Sequence, residues 1–392
     1  MSVAKLAPQT LAMPATGNGH HRVVDHVLHG LVSIRLIDPP ESALRAIRRV
    51  LGPSTGSAAA GPDITVTFVD QLPPVGTLRT IGLNDAAFDD AHFYRLDEFG
   101  HRTQIDFGAL GESGEVLCER GVSVIPLLVP ILGLRLLAKG YVLLHSGAFV
   151  YEGIGVLVTG WEKGGKTETL LPFMAAGAHY LSDEWTIVSP EDGLLYGLSG
   201  MTQVWSWHLR QLPAFWARIP RADRNRIRAM RLYQRLYRAL PESVRGGGIA
   251  AGWLHRLSLE GGYPLLGQSR VAPELIFRDH LWQGSAPLDR LFLATVAPGP
   301  TAVLPVEAAE IARRMAASLT YERRALWIAY QQSLYAFPER RNMLLESASL
   351  RERELLLRLF RGRTAHEIRH PYPADLAEIY RLVRPYVVED SR

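Results

Sequence analysis

The residues with the clearest chemical potential form one uninterrupted stretch near the middle of the chain. It reads Gly160-Trp161-Glu162-Lys163-Gly164-Gly165-Lys166-Thr167 and follows an apolar, β-branched run. This is the Gly-x4-Gly-Lys-Thr pattern of a phosphate-binding loop. The glycines let backbone N–H groups turn toward phosphate oxygens, while Lys166 can reach the β- and γ-phosphates and the Thr167 hydroxyl can coordinate Mg²⁺. The pattern therefore predicts binding of ATP together with Mg²⁺.

Four titratable residues flank this loop at positions that suit phosphoryl transfer. Glu168 directly follows Thr167, Asp183 and Glu184 end the next predicted strand, and His145 lies in the strand before the loop. Strand ends beside a phosphate loop point toward one edge of the sheet. One acidic residue there can hold Mg²⁺ and a second can accept the proton of an attacking hydroxyl. The structural alternatives are a turn cap for Asp183, a first-turn helix acid for Glu168 and a core histidine for His145.

A wider set of residues resembles the HPr kinase/phosphorylase family of bacterial serine kinases. The matching blocks, in the order and at closely similar spacing to those of the family, are Leu144-His145-Ser146-Gly147, Gly155-Val156-Leu157-Val158-Thr159-Gly160, Gly164-Gly165-Lys166-Thr167-Glu168-Thr169 and Gly177-Ala178-His179-Tyr180-Leu181-Ser182-Asp183-Glu184. The resemblance implies an α/β fold with a phosphoenolpyruvate-carboxykinase-like nucleotide-binding core. It also implies ATP- and Mg²⁺-dependent phosphorylation of a hydroxyl.

The same resemblance implies a role for each flanking residue. Asp183 would be the catalytic base that takes the proton of a serine hydroxyl. Glu168 and Glu184 would organise Mg²⁺ and the surrounding charges, although the family usually has Asp at the position of Glu184. His145 would sit beside the transferred phosphate. Apart from the resemblance, Arg270 or an arginine of the arginine-rich segment described below could reach the γ-phosphate, and the sequence does not select which.

The phosphate acceptor stays open at this stage. The family's later Arg-Gly-Leu-Gly-Ile-type signature has no convincing copy, and Gln268-Ser269-Arg270-Val271 is a faint echo of it. We therefore expect a peptide or protein other than HPr as the acceptor, with a small metabolite as the alternative. A nucleotide-binding regulator without catalysis is the third hypothesis. The acid at Asp183 argues against it, because a site that only holds nucleotide has no use for a base.

The composition is that of an ordinary globular protein. The chain has 47% hydrophobic and 21% charged residues and a net charge of +4. Its length of 392 residues is sufficient for two or three domains. The single Cys118 excludes an intrachain disulfide and fits a reducing cytoplasm.

The most apolar stretch, residues 122–134, is shorter than the about 20 residues of a membrane span. We expect a cytoplasmic protein with no transmembrane segment and no nucleic-acid partner; a homo-oligomer is a further expectation from the family.

Sequence patterns divide the chain into four segments. They are a disordered leader (1–22), a small N-terminal α/β domain (23–118), the ATP-binding core (119–304) and a C-terminal helical region (305–392). Within the core the patterns predict a helix over residues 125–139, strands over 141–150 and 155–159, a helix opening within 169–176, and strands over 264–277 and 288–296.

Residues 214–245 form an arginine-rich insertion in this core. It contains nine arginines but only two acidic residues, Asp223 and Glu242. The arginines are Arg218, Arg221, Arg224, Arg226, Arg228, Arg231, Arg235, Arg238 and Arg245. Leu232, Leu236 and Leu240 recur every four residues, which predicts an amphipathic helix. Three roles are open for it: a solvated charged face, a docking surface for an acidic substrate or partner, and a helix that lies on a membrane surface.

Overall fold

The computed structural model consists of strands and helices and describes residues 21–56, 61–83, 85–239 and 267–388. The strands are β1 (Val23–Leu28), β2 (Val32–Ile37), β3 (Ile64–Val69), β4 (Arg79–Ile81), β5 (Ala86–Phe88), β6 (Phe93–Leu96), β7 (Arg102–Ile105), β8 (Gly114–Glu119), β9 (Val142–His145), β10 (Gly147–Tyr151), β11 (Ile154–Thr159), β12 (His179–Ser182), β13 (Trp185–Val188), β14 (Leu194–Leu198), β15 (Thr202–Trp205), β16 (Gln268–Val271), β17 (Ser285–Pro287), β18 (Arg290–Val296), β19 (Ala302–Pro305) and β20 (Ala365–His370).

The described helices are α1 (Glu41–Leu51), α2 (Leu128–Ala138), α3 (Lys166–Ala175), α4 (His208–Gln211), α5 (Pro213–Trp216), α6 (Arg221–Ala239), α7 (Pro273–Ile276), α8 (Ala308–Glu322), α9 (Arg324–Ala336), α10 (Met343–Phe360) and α11 (Leu376–Val388). The predicted mixed α/β class is therefore confirmed. The predicted disordered leader lies, up to residue 20, outside the described residues.

The chain divides into two compact units, and each consists of segments that are separate in sequence. The first unit contains the described residues up to 48, residues 53–143 and residues 319–355; the second contains residues 49–52, 144–318 and 356 onward. This division differs from the predicted segments. Helix α2, which the sequence pattern assigns to the ATP-binding core, groups with the first unit, and the region after residue 305 is shared between both units.

An eight-stranded sheet organises the first unit, in the order β1-β2-β3-β8-β7-β6-β5-β4. Strands β2, β3 and β8 are parallel neighbours, and the other pairs are antiparallel. Side chains of β3 alternate between buried and half-buried positions, as expected for a strand with one face on the core. The alternation that predicts this strand from the sequence is therefore present in its burial.

A six-stranded sheet organises the second unit, in the order β12-β10-β11-β18-β20-β19. Strands β11, β18 and β20 are parallel, and β12 runs the same way because β10 is antiparallel to both β11 and β12. The carboxyl ends of these four strands and the amino end of β10 consequently share one edge of the sheet, which we call the loop edge. Ligands of open α/β sheets bind outside the carboxyl ends of the strands.

The hydrophobic core of the second unit fixes α3 against this sheet. Phe149 of β10 stacks on Phe173 of α3 with ring centroids 4.9 Å apart. Leu170 of α3 and Ile379 and Val383 of α11 are also fully buried in the same cluster. Because α3 is held along its length, its N-terminal end keeps a constant position relative to the end of β11.

The predicted single strand over residues 141–150 is wrong, because the chain changes sheet at Ser146. Strand β9 belongs to a four-stranded sheet of order β17-β14-β13-β9, whereas β10 belongs to the six-stranded sheet. The Ser146 N–H donates to the Glu184 carbonyl oxygen at 3.2 Å, and the Ser146 hydroxyl donates to Thr186 Oγ1 at 2.8 Å. Both strands are apolar throughout, so their residue pattern does not reveal the change.

The region from residue 305 onward, predicted as helical, also contains a strand. β20 lies inside the six-stranded sheet, between β18 and β19. Four of its six residues are buried, and among them are the polar Glu367 and His370. A segment of this composition has little intrinsic strand preference, so its pairing with β18 decides its conformation.

Four other predicted elements have shifted bounds. Helix α2 (Leu128–Ala138) is shorter than predicted, α3 begins already at Lys166, and β18 starts at Arg290. The predicted strand over residues 264–277 is wrong beyond residue 271, because α7 follows there and Pro273 occupies its first turn. Residues 264–266 of that prediction lie outside the described residues.

The arginine-rich insertion is helical over α6. This helix packs through Ile227 and Met230 and not through its regularly spaced leucines. Leu240 lies outside the described residues, and Leu232 and Leu236 are 58% and 61% exposed. The buried apolar residues of this helix are Ile227 and Met230. The predicted helix is therefore present, its two described leucines do not pack in the core, and residues 240–245 of the predicted segment are not described.

Two further sequence predictions concern the membrane and the cysteine. No helix in the described ranges is long and apolar enough to cross a membrane. Cys118 is a free, buried thiol in β8, and burial raises its pKa to about 12. The thiol is therefore protonated at neutral pH and a poor nucleophile.

Candidate functional site

The phosphate loop connects β11 to α3 at the loop edge through a sharply turned backbone. Lys163 and Gly165 have φ angles of 60° and 108°, in the region that favours glycine. A Cβ atom on Gly165 would also lie 1.8 Å from Nε2 of His370. Gly165 is therefore required both by its backbone conformation and by the close approach of a histidine ring.

The N-terminal end of α3 has no side-chain cap, a feature that many anion sites share. Gly165 is its N-cap residue and no side chain caps the helix, so the first backbone N–H groups lack side-chain acceptors. Such groups carry the positive end of the helix dipole and are a common position for phosphate oxygens. Nζ of Lys166 donates to the carbonyl oxygens of Gly160 and Trp161 at 3.2 and 2.9 Å. These bonds hold the ammonium group inside the loop.

Asp183 lies directly beside the hydroxyl at the end of the loop. Thr167 Oγ1 donates a hydrogen bond to Asp183 Oδ1 at 2.9 Å. Asp183 follows the last residue of β12, so the sheet topology brings it to the loop edge, and it is only 4% exposed. The structure therefore joins two residues that are sixteen positions apart and that the sequence predicts to act together.

The environment of Asp183 disfavours its charged form. Burial, followed by the nearby charge of Glu184, raises the pKa of Asp183 well above its ordinary value, although the Thr167 hydrogen bond opposes this. Lys166 also lowers the pKa, but by less than these contributions. A carboxyl group with a raised pKa is matched to a base that works near neutral pH.

Glu168 points into the core and is held by a histidine that the sequence patterns did not identify. His208 Nε2 lies 3.2 Å from Glu168 Oε1, and the Trp205 backbone N–H donates to His208 Nδ1 at 3.1 Å. Because Nδ1 accepts a hydrogen bond, the ring proton must be on Nε2, which therefore donates to Glu168. Burial raises the pKa of Glu168, but the His208 hydrogen bond and others outweigh burial, so the pKa is lowered overall. Glu168 is a buried, charged carboxylate.

His145 and Glu184 form a second pair at the same edge. His145 Nε2 lies 3.5 Å from Glu184 Oε2, and the His145 ring packs on Trp185 with centroids 5.1 Å apart. The Glu184 side chain is 45% exposed, whereas that of His145 is 10% exposed. Glu184 is therefore the most accessible carboxylate of the group.

A further histidine lies under the loop. His370, the last residue of β20, is fully buried, and its Nδ1 lies 2.9 Å from the Pro371 carbonyl oxygen. Its Nε2 faces Gly165 and has no hydrogen-bond partner among the residues that the structure describes. His370 is also among the groups that lower the pKa of Glu168.

The oxygen donors at the loop edge fit Mg²⁺ bound together with a nucleotide. Within the described ranges, no group of three or more His, Cys, Asp or Glu side chains could hold a metal ion. Mg²⁺ commonly uses one or two protein carboxylates and takes its other ligands from phosphates and water. Thr167 and Asp183, with Glu184 nearby, are compatible with that mode, whereas Glu168 is engaged by His208.

The structure thus brings the predicted site residues into two neighbouring groups. Lys166, Thr167 and Asp183 form one, and His145 and Glu184 form the other, while Glu168 faces inward. His208 and His370 were missed. His208 begins the short helix α4 and belongs to no motif, and His370 lies in the strand that was predicted as helix.

Comparisons with known protein families and with curated protein sequences find no match for this chain.

Proposed function

We propose that this protein is an ATP- and Mg²⁺-dependent kinase that transfers the γ-phosphoryl group to a hydroxyl of the serine type. The observation that carries the proposal is the 2.9 Å hydrogen bond between Thr167 Oγ1 and Asp183 Oδ1. The threonine of a phosphate loop is the residue that meets the metal ion and the phosphates. A buried carboxyl group bonded to it lies beside the phosphates of a bound nucleotide.

The proposal includes a phosphoenolpyruvate-carboxykinase-like nucleotide-binding core for the second unit. Two features support it: the sequence resemblance between residues 144 and 184, and the convergence of β10, β11 and β12 on the loop edge. In this arrangement the strand that leads into the loop has an antiparallel neighbour, β10, on one side. That neighbour begins next to His145, so the histidine, the loop and the acid share one edge.

Nucleotide binding is assigned to the loop from Gly160 to Thr167 and to the N-terminal end of α3. Backbone N–H groups and the helix dipole stabilise the phosphate oxygens. Lys166 exchanges its bonds to the Gly160 and Trp161 carbonyl oxygens for bonds to the β- and γ-phosphates. The energetic gain is that a buried ammonium group acquires anionic partners instead of neutral ones.

Asp183 is assigned as the general base. It accepts the proton of the acceptor hydroxyl while that oxygen forms a bond to the γ-phosphorus and the bond to the β-phosphate oxygen breaks, releasing ADP. The raised pKa of Asp183 makes its carboxylate a stronger proton acceptor than an ordinary aspartate. The acceptor in this proposal is a peptide or protein hydroxyl, with a small-molecule hydroxyl as the alternative.

Mg²⁺ neutralises phosphate charge when it is bound, and Thr167 and Glu184 are the residues we assign to hold it. Glu184 is assigned because its carboxylate is the exposed one. Glu168, which was predicted to share this role, is directed toward His208. We therefore assign Glu168 a positioning role, in which it orients the end of the phosphate loop at Thr167 without binding Mg²⁺.

The test is Asp183→Asn in the full-length protein. The variant keeps the shape of the side chain and a hydrogen-bond acceptor for Thr167, but its amide cannot accept the hydroxyl proton. We expect nucleotide affinity within about threefold of wild type and a loss of transfer of at least about 100-fold. Transfer is measured with γ-labelled ATP and a fractionated cell extract as the source of acceptor.

The matched control is Asp279→Asn, which makes the same chemical change at an exposed position and should transfer label at the wild-type rate. Normal transfer by Asp183→Asn would overturn the mechanism. If the wild-type protein binds ATP tightly but labels no fraction, the regulator hypothesis replaces the kinase.

A further inference from the structure

A polar pocket in the second unit shares no lining residue with the phosphate loop. It has a volume of about 330 Å³ and is lined by Arg49, Met201, Asp223, Arg226, Gln268 and Arg270. None of these residues belongs to the loop from Gly160 to Thr167 or to the acids and histidines at the loop edge. We call it the arginine pocket.

The walls of the arginine pocket are held by backbone bonds. Strands β15 and β16 pair through four residues each, with Arg270 opposite Gln203. The Met201 N–H donates to the Arg49 carbonyl oxygen at 2.9 Å. Arg226 Nη2 donates to the Gln268 carbonyl oxygen at 2.6 Å. These bonds order the backbone around the pocket, while the side chains of Arg49 and Arg270 are exposed.

The charges of the arginine pocket are unbalanced. Three arginines and one acid, Asp223, line the pocket. The Asp223 carboxylate already has partners, because Arg226 lies 2.8 Å from its Oδ1 and Ser269 donates to its Oδ2. Arg49 and Arg270 have no ion-pair partner in the part of the chain that the structure describes. Both side chains are exposed, so solvent weakens their mutual repulsion, but their like charges still favour an anion in the pocket.

The third arginine also has unused hydrogen-bonding capacity. Arg226 Nε is buried and has no hydrogen-bond partner within the described ranges. A buried donor without a partner costs roughly 1–3 kcal/mol in general. An oxyanion in the pocket would relieve the repulsion between Arg49 and Arg270 and could offer that donor an acceptor.

We infer that the arginine pocket binds the phosphate or carboxylate group of a small molecule that is distinct from the nucleotide at the phosphate loop. Guanidinium groups match such oxyanions because their planar N–H forks form paired, charge-assisted bonds. The volume is at the lower end of the range of small-molecule sites, so it admits one anionic group with a short carbon skeleton. This site does not depend on the proposed kinase activity.

The experiment titrates inorganic phosphate and, separately, succinate into the full-length protein by calorimetry at constant ionic strength. It uses the Lys166→Ala background, because the phosphate loop can itself bind phosphate. In that background we expect saturable binding of at least one probe. Arg270→Ala and Arg49→Ala should each weaken binding by about tenfold, which corresponds to about 1.4 kcal/mol.

The matched control is Arg235→Ala, which removes one exposed charge from the same helix as Arg226 but not from the pocket. It should change affinity less than twofold, and thermal unfolding of each variant verifies that it is folded. The inference is overturned if neither probe binds in the Lys166→Ala background. It is also overturned if the affinity is the same with and without Arg49 and Arg270.

Discussion

Two carboxyl groups behind and beside the phosphate loop have opposite pKa shifts, although both are buried. Burial and the charge of Glu184 raise the pKa of Asp183, whereas the His208 hydrogen bond helps to lower that of Glu168. Pairs of acids whose environments separate their pKa values commonly divide the work of catalysis. At this site one acid can exchange a proton, and the other provides a permanent negative charge.

His208 is the residue whose loss should reveal this division. In His208→Ala, Glu168 loses the N–H that stabilises its charge, so its carboxylate should reorient or take up a proton. We expect phosphoryl transfer to fall roughly 10- to 100-fold, the usual effect of disturbing a group that supports a metal site from outside its ligands, because Glu168 adjoins Thr167, which we assign to Mg²⁺. The Mg²⁺ concentration for half-maximal rate should rise. ADP formation measured across an Mg²⁺ titration tests both.

His208→Gln is the rescue variant, because its side-chain amide can donate to Glu168 again. It should recover part of the lost rate and of the Mg²⁺ dependence. An alanine variant with the wild-type rate at every Mg²⁺ concentration would show that His208 has only a packing role.

His26 gives the first unit a specific sensitivity to acid. Burial, followed by the charge of Arg48, lowers the pKa of His26 from 6.5 to about 4. A histidine with a lowered folded-state pKa stabilises the fold above its unfolded pKa, and the contribution is lost as the pH falls toward the folded value. Linkage predicts that about 2 kcal/mol of stability disappears between pH 7.5 and pH 5.

The measurement is hydrogen exchange of the amides of β1 and β2 at both pH values, corrected for intrinsic rates. In His26→Leu, which cannot titrate, the opening free energy should change with pH by about 2 kcal/mol less than in wild type. Equal pH dependence in the two proteins would mean that His26 becomes protonated without cost.

At the residue scale, the sequence predicts the groups that belong to a motif and misses those that arrive through the fold. Lys166, Thr167 and Asp183 are recognisable from their spacing, and the structure brings them together. His208 is forty residues from Glu168 and reaches it only because of where the segment after β15 lies. No local pattern encodes that approach.

Among the elements, the loop that joins β11 to α3 has a strict geometric requirement at Gly165. Gly165 and Gly177 both have positive φ angles, 108° and 96°, but only Gly165 has a neighbour, His370, where a Cβ atom would stand. Gly177→Ala should therefore cost about 1 kcal/mol of stability and leave nucleotide binding intact. Gly165→Ala should abolish nucleotide binding, because the loop must move away from His370.

Nucleotide affinity by calorimetry and unfolding by urea distinguish these two variants. Both substitutions place alanine at a left-handed position. Backbone strain alone would therefore lower the free energy of unfolding of the two variants equally. Equal nucleotide affinity of the two variants would contradict a role for the contact between the loop and His370.

The sequence predicts a strand or helix correctly where its own residue pattern is sufficient to define it. Strands β3 and β11 follow from β-branched runs, and the loop and α3 follow from the glycines. The change of sheet at Ser146 and the strand β20 were not predictable, because both depend on which neighbours pair with them. In α6 the regular leucines suggested one face, while Ile227 and Met230 are buried on another.

On the scale of the whole molecule, the candidate chemistry belongs to one of the two units. The phosphate loop, Asp183, His208 and His370 all lie in the second unit, and so does the arginine pocket. The first unit has its own eight-stranded sheet and its own buried residues. A ligand of the loop should therefore stabilise the second unit directly.

Nucleotide with Mg²⁺ should raise the opening free energy of the second unit by about 2.7 kcal/mol at a concentration of 100 times Kd. Hydrogen exchange of the amides of β10, β11 and α3 should then slow by about 100-fold, whereas β1, β2 and β3 keep their rates. In Lys166→Ala the same nucleotide concentration should have little effect, since the cation that meets the phosphates is gone. Equal protection of both units would show that they open as one cooperative body, and no protection of β11 and α3 would show that the loop does not bind nucleotide.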